Sequence, residues 1–190
     1  MRIIGGIYRS VALTPIGKGD EAGHLRPTTD RIRESLFNVL GGGRFGDPLD
    51  GARVLDLFAG TGALGLEALS RGAAQVCFIE KGRAGYKLLS KNIAKLRAGE
   101  ETNALTWDAT RLPANPYRPF DLVFLDPPYG KDLGTAALTC AKAQGWIADD
   151  ALIVWEEEGP QAAPDGFTVL DHKKYGATHI TFLEIADEKA

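Results

Sequence analysis

Cysteine is nearly absent from this chain. Cys77 and Cys140 stand far apart, with no metal-ligand spacing and no disulfide framework, and they read as reduced thiols of a cytoplasmic protein. Histidine is as scarce. His24, His172 and His179 are scattered, which makes no zinc motif, and no metal is expected. No apolar run approaches the ~20 residues of a bilayer-spanning helix. The start, Met1-Arg2-Ile3-Ile4-Gly5-Gly6, lacks the apolar stretch of a signal peptide. A membrane partner is therefore not expected. Charge of one sign is missing too: the formal net charge is −3, which does not by itself mark a nucleic-acid binder.

The charge is unevenly spread. Residues 1–45 carry seven basic residues (Arg2, Arg9, Lys18, Arg26, Arg31, Arg33, Arg44) against four acids (Asp20, Glu21, Asp30, Glu34), a local +3 that leaves −6 for the rest. A basic segment on an acidic body suits a polyanion held on one face. A chain of 190 residues, 44% hydrophobic and 25% charged, fits one globular domain with a small appendage.

The pattern divides at a glycine run. Arg2 to Leu13 reads as a hairpin or two short strands broken by Gly5-Gly6, and Lys18 to His24 as a polar loop. Thr28 or Thr29 is a candidate cap for a helix that carries Ile32, Leu36, Val39 and Leu40 on one face. Gly41-Gly42-Gly43 ends it. From Arg53 onward strands and helices alternate. Strands are expected at Val54–Leu57, Gln75–Ile79, Ala104–Trp107, Asp121–Leu125 and Ala151–Trp155, and helices at Ala63–Ser70, Ala84–Leu96 and Leu133–Ala143. Such alternation means a parallel sheet covered on both faces. Phe167–Asp171 and His179–Ile185, turning at Tyr175-Gly176, would add an antiparallel pair at one edge. The expected units are an N-terminal extension, 1–45, and a catalytic domain, 46–190.

Two turns carry chemistry. Asp56-Leu57-Phe58-Ala59-Gly60-Thr61-Gly62-Ala63-Leu64-Gly65 satisfies G-x-G-x-x-G at the first strand-to-helix turn, and Glu80 follows Gly60 by 20 residues. That spacing fits a nicotinamide dinucleotide. S-adenosylmethionine fits better. Asp56 would repel a pyrophosphate but suits a cationic amino-acid moiety, and Asp108, in Trp107-Asp108-Ala109, can accept a hydrogen bond from an adenine amine. The second turn is Asp126-Pro127-Pro128-Tyr129, after the apolar run Asp121–Leu125. There a carboxylate and the Pro127 carbonyl offer acceptors to an exocyclic amine, rigid prolines aim them, and a ring offers a stacking face. All of these turns fall at the carboxyl ends of the strands, where open α/β sheets bind ligands.

These residues resemble the RsmD-type 16S rRNA guanine-N2 methyltransferases over nearly the whole chain. The opening Arg2-Ile3-Ile4-Gly5-Gly6, the segment Arg26-Pro27-Thr28-Thr29-Asp30-Arg31-Ile32-Arg33-Glu34-Ser35-Leu36-Phe37-Asn38, Asp56 to Gly62, Glu80 and Asp126 to Tyr129 carry the resemblance. It implies a class I S-adenosylmethionine-dependent methyltransferase fold: α/β, Rossmann-like, with a mostly parallel seven-stranded sheet, helices on both faces and a small N-terminal extension. It implies S-adenosyl-L-methionine as cofactor and small-subunit rRNA, in an assembled or assembling particle, as partner. The implied cofactor residues are Asp56, Phe58, Ala59, Gly60, Thr61, Gly62, Glu80, Asp108 and Ala109. The implied catalytic residues are Asp126, Pro127, Pro128 and Tyr129. Arg2, Arg9, Arg26 and Arg33 are the candidate phosphate contacts, and a monomer is expected. Val11 stands where the family carries a second basic residue, and Ala177 where it often has an acid. An adenine-N6 or cytosine-N4 methyltransferase and an NAD-dependent oxidoreductase stay open as alternatives.

Overall fold

A computed structural model describes residues 1–15, 30–128 and 132–186. The loop from Lys18 to His24, the cap at Thr28 or Thr29, Arg26 and Tyr129 lie outside the described residues.

Seven strands form one sheet: β1 (Arg53–Leu57), β2 (Gln75–Ile79), β3 (Thr102–Leu105), β4 (Phe120–Leu125), β5 (Ile147–Glu157), β6 (Phe167–Tyr175) and β7 (Thr178–Ile185). Their order is β3-β2-β1-β4-β5-β7-β6. The first five run parallel, and β7 is antiparallel to both β5 and β6. The alternation of strand and helix thus builds the expected mostly parallel sheet, with an antiparallel pair at one edge. β1 and β4 lie side by side, Leu57 opposite Leu125. The turns that follow them therefore meet at the carboxyl edge of the sheet.

The helices are α1 (Asp30–Leu40), α2 (Ala63–Ser70), α3 (Arg83–Leu96) and α4 (Leu133–Ala143). β1, β2 and β4 are buried on both faces and so read as continuous apolar runs. One face packs Val54, Phe78, Leu122, Phe124 and Val154 against α1, α2 and α3. The other packs Leu55, Val123, Ile153 and Trp155 against α4. Phe37 of α1 lies on Phe124 of β4, centroids 5.7 Å apart, so it is a core residue.

The N-terminal segment shares this core. Ile3 and Leu13 are buried in the same cluster as Leu36, Phe37, Leu40 and the sheet. Residues 1–13 fold back on themselves through bonds such as Ile3 N–H to the Val11 carbonyl (3.0 Å) and Leu13 N–H to the Met1 carbonyl (3.2 Å). They dock on α2 through Glu67. Its carboxylate, fully buried, accepts from the backbone N–H of Ile4 (2.7 Å) and Gly5 (2.9 Å) and from Arg71 Nε (2.7 Å). Arg33 is also fully buried, with Nε 3.6 Å from Glu67 and Nη2 3.0 Å from Asp30. It donates as well to the Arg2 carbonyl. The expectation that Arg33 contacts phosphate is therefore corrected: its guanidinium neutralises Glu67 inside the protein and reaches no surface. A buried carboxylate needs such partners.

Candidate functional site

The turn after β1 is wound tightly because its backbone enters the left-handed region three times, at Phe58 (φ 63°), Gly60 (φ 55°) and Gly62 (φ 79°). Phe58 pays for this with no glycine to relieve it, a strain of the kind found at ligand-holding turns. At Gly62 a Cβ would come within 2.5 Å of Leu89 Cδ1, and at Gly65 within 2.4 Å of Phe78 Cε1. Both glycines are thus demanded by close packing of α2 against the sheet and against α3.

All three fingerprint glycines already have partners for their N–H groups. Gly60 N–H donates to Glu80 Oε2 (2.8 Å), Gly62 N–H to the Ala59 carbonyl (2.7 Å), and Gly65 N–H to Asp56 Oδ2 (2.9 Å). Glu80 binds the next turn as well, accepting from Gly82 N–H (2.5 Å). The two acids hold the turn from either side. Asp56 lies beneath it, 2% exposed. Burial pushes its carboxyl up to about 7; the bond from Gly65 works against this, and the neighbouring charge of Glu80 adds to it. Thr61 is buried and Ala59 nearly so.

At the end of β3, Asp108 caps the short 3-10 turn Ala109–Arg111. Burial acts against its charge, but the Thr110 hydroxyl (2.7 Å), the Thr110 N–H (3.0 Å) and Lys81 Nζ (3.0 Å) outweigh it and hold the carboxyl at about 2. Asp108 is thus a fixed anion beside the turn. Ala109 is buried at 3%.

At the end of β4, Asp126 and Pro128 are half-buried and Pro127 is buried. A residue before proline stays extended, so the strand alternation runs on from Phe124 to Asp126. Asp126 therefore points to the same face as Phe124, the face of α1. Glu156 occupies the matching place on β5: it follows Trp155, the partner of Leu125, and continues the face of Val154. Glu156 is 4% exposed. Glu156 thus lies on the strand beside the one that Asp126 follows, each one residue beyond the paired Leu125 and Trp155. Both engage other groups of the chain. Glu156 was missed in the sequence because it opens a run of three glutamates that resembles a solvated strand end.

Asn92 was missed too. It is fully buried on α3, its Nδ2 donates to the Thr61 carbonyl (2.9 Å), and its Oδ1 accepts from Thr14 N–H (2.7 Å). The signal was available: Leu89, Asn92 and Leu96 share the buried stripe of α3, where a polar side chain needs a reason.

Of the candidate phosphate contacts, Arg2 and Arg9 are exposed; Arg2 lies 3.9 Å from Asp30. Among the described residues no group of three or more His, Cys, Asp or Glu side chains could hold a metal ion, and no helix is long and apolar enough to cross a membrane.

The chain is 43% identical to ribosomal RNA small subunit methyltransferase D of Escherichia coli K12 over 164 residues, 86% of this chain and 78% of that protein. It is 36% identical to the enzyme of the same name from Haemophilus influenzae, over 93% of this chain and 89% of that one. Among solved structures it matches the Escherichia coli protein yhhF with TM-score 0.80 and 38% identity over 97% of each chain. A Haemophilus influenzae structure matches with TM-score 0.75 and 31% identity over 98% of each. Its sheet is that of a class I methyltransferase. The model of the family described as Conserved hypothetical protein 95 matches residues 1–184, and the chain belongs to that family.

Proposed function

We infer that this chain transfers a methyl group from S-adenosyl-L-methionine to the exocyclic N2 amine of a guanine in small-subunit (16S) rRNA. The observation that carries the cofactor assignment is the occupation of the glycine N–H groups. A dinucleotide fingerprint leaves its backbone N–H groups to a pyrophosphate. Here those of Gly60 and Gly65 point at Glu80 and Asp56, which would repel one. An edge rich in acceptors suits a ligand that brings a cation, ribose hydroxyls and an amine. The residues present therefore fit S-adenosylmethionine. Glu80 would hold the ribose hydroxyls with its remaining lone pairs. Asp108 would take the adenine amine, beside Ala109, and the turn from Phe58 to Gly62 would wall the site. Asp56, beneath the turn, would act by its charge. Bound there, the cofactor supplies an electrophilic methyl on a sulfonium.

The protein must then position a weak nucleophile. Asp126 and the Pro127 carbonyl accept the N2 hydrogens, which directs the nitrogen lone pair toward the methyl. Asp126 also offsets the positive charge that develops on nitrogen. Tyr129 supplies the stacking face. Alignment of this kind supplies at most about 7–11 kcal/mol. The placement of Glu156 on the strand next to Asp126 supports guanine over adenine or cytosine. Guanine presents N1–H beside its amine, so two neighbouring acceptors match it. Adenine and cytosine present an acceptor beside their amine and would face Glu156 lone pair to lone pair. A paired base cannot enter such an edge, so the target is unpaired or flipped. Exposed Arg2 and Arg9, with Arg26, are the proposed phosphate contacts.

The test is methyl transfer from labelled S-adenosylmethionine to unmethylated small ribosomal subunits, with nucleoside analysis. N2-methylguanosine is expected, and Asp126→Ala should abolish it while cofactor binding persists. N6-methyladenosine or N4-methylcytidine would overturn the base assignment. No transfer to particles or naked rRNA would overturn the activity.

A further inference from the structure

The glycine turn is held from above as well as from below. Asn92 sits where α3, the turn and the N-terminal segment converge. One side of its amide donates to the Thr61 carbonyl at 2.9 Å; the other accepts from Thr14 N–H at 2.7 Å. Thr61 lies between the two fingerprint glycines, Gly60 and Gly62, both at positive φ. Its carbonyl has left the backbone ladder of the strand and not yet joined that of the helix. Asn92 is fully buried, so no water can take over its role without a cavity opening. One turn on, Lys95 Nζ donates to the Ala12 carbonyl (2.9 Å) and lies 3.4 Å from Thr14 Oγ1. Residues three apart on a helix face the same way, so Asn92 and Lys95 clasp the segment Ala12–Thr14 against the turn. Met1 reaches the same place, its Sδ 3.8 Å from Thr61 Oγ1.

We propose that Asn92 is a positioning residue for the cofactor turn, and that through it the N-terminal segment ending at Thr14 sets the affinity for S-adenosylmethionine. Asn92 touches neither cofactor nor base. It fixes the Thr61 peptide, and with it the direction of the Gly60–Gly62 backbone on which the ligand lies. The N-terminal segment fixes Asn92 in turn, because an amide that accepts from Thr14 N–H has its Nδ2 aimed at Thr61 and cannot flip without losing both bonds. The segment assigned to phosphate contact is thereby a structural part of the cofactor site. The sequence places these pieces 78 residues apart (Thr14 to Asn92), which hides the connection.

This inference rests on reading the turn as the cofactor site. Two variants test it. Asn92→Ala removes these bonds and the longer one from Nδ2 to the Thr14 carbonyl (3.5 Å). Lys95→Met, at an exposed position, loosens only the clasp on Ala12–Thr14 and leaves the core intact. Binding of S-adenosylhomocysteine is measured by calorimetry, alongside the melting temperature and the kinetic constants on small subunits. Asn92→Ala is expected to weaken binding about tenfold and to raise the KM for S-adenosylmethionine by the same factor. The kcat at saturating cofactor and the KM for the particle should stay within about twofold. Lys95→Met should move cofactor affinity in the same direction, by about two- to threefold, with an unchanged melting temperature. Unchanged cofactor affinity in Lys95→Met overturns the role of the segment, and does so even where Asn92→Ala fails to fold. A fall in kcat with cofactor affinity unchanged in Asn92→Ala overturns the positioning role. A wild-type protein that binds no S-adenosylhomocysteine overturns the cofactor reading instead, so the two failures are distinct.

Discussion

The end of β1 and the turn after β3 each place a carboxylate near the same edge of the sheet, Asp56 beneath it and Asp108 more open, and the protein tunes the two in opposite directions. Asp56 is buried with one backbone N–H as partner, and burial raises it to about 7. Asp108 is more open, and there Thr110 and Lys81 overcome the cost of burial and hold it at about 2. The comparison shows that one residue type can serve as a permanent anion in one turn and as a charge that forms near neutral pH in the next. The difference lies in the depth of burial and in the count of donors. The stability consequences are opposite as well. Asp56, raised above its ordinary 3.8, contributes stability below that value, and the contribution is lost as pH climbs to about 7. Asp108, lowered below 3.8, contributes above it, and loses the contribution as pH falls toward about 2.

The largest break in this contrast comes from Gly65→Ala. The new Cβ would meet Phe78 at 2.4 Å and Val76 at 2.8 Å, pushing apart the N–H that restrains Asp56. A cost of about 1–3 kcal/mol should appear as a melting temperature lower by several degrees, roughly 2–4 °C per kcal/mol. Asp108→Ala should weaken cofactor binding about tenfold, the loss of a hydrogen bond to a charged group. The factor should be the same at pH 6 and pH 8, because a carboxyl at about 2 is fully ionised at both; a factor that varies with pH would show that Asp108 is not the fixed anion. Cofactor affinity of the wild type should tighten severalfold between pH 6 and pH 7.5 as Asp56, at about 7, takes on its negative charge. Asp56→Asn should flatten that profile, and calorimetry across the range decides it. The smallest effect belongs to Lys81→Ala. Its ammonium is 58% exposed, and such a pair contributes about 0–1 kcal/mol, so cofactor affinity should change by less than about twofold and the change should vanish in high salt.

The parts of the fold that were legible are those where packing and periodicity agree. The helices Ala63–Ser70 and Leu133–Ala143 and the strand Gln75–Ile79 occur where the apolar spacing put them. The edge elements were harder. β3 spans Thr102–Leu105 rather than reaching Trp107, since an edge strand is half-buried throughout and shows no apolar run, while Trp107 leaves the sheet to meet Trp146 edge-on at 6.0 Å. β6 runs past the expected end at Asp171 to Tyr175, through His172-Lys173-Lys174, whose charge is the usual protection of an open edge. β5 begins at Ile147, across a register shift opposite Phe120–Leu122, which no alternation reveals. In the site, the acids and glycines of the two turns were legible from spacing. Arg33 was misread although the information was present: Arg33, Leu36, Phe37 and Leu40 stand at i, i+3, i+4 and i+7 and are all buried, so the arginine belonged to the inner stripe of α1. Asn92 acts through partners on distant segments, Thr14 and Thr61, and no local pattern reports those.

The way the first residues are fastened also dictates when they can be fastened. Ile4 and Gly5 bond to Glu67, Thr14 to Asn92 and Ala12 to Lys95, partners 62 to 83 residues further along the chain. During synthesis at ~5–20 residues per second, the opening segment must wait roughly 4–17 s before Lys95, the last of these partners, has been made. The end of the protein that leaves the ribosome first therefore cannot be fastened until Lys95 has followed it. Until then Ile3 and Leu13, destined for the core, stand in water as a small exposed apolar hook. A nascent chain stopped short of Asn92 would carry the residues of the β1–α2 turn and no clasp to close on them.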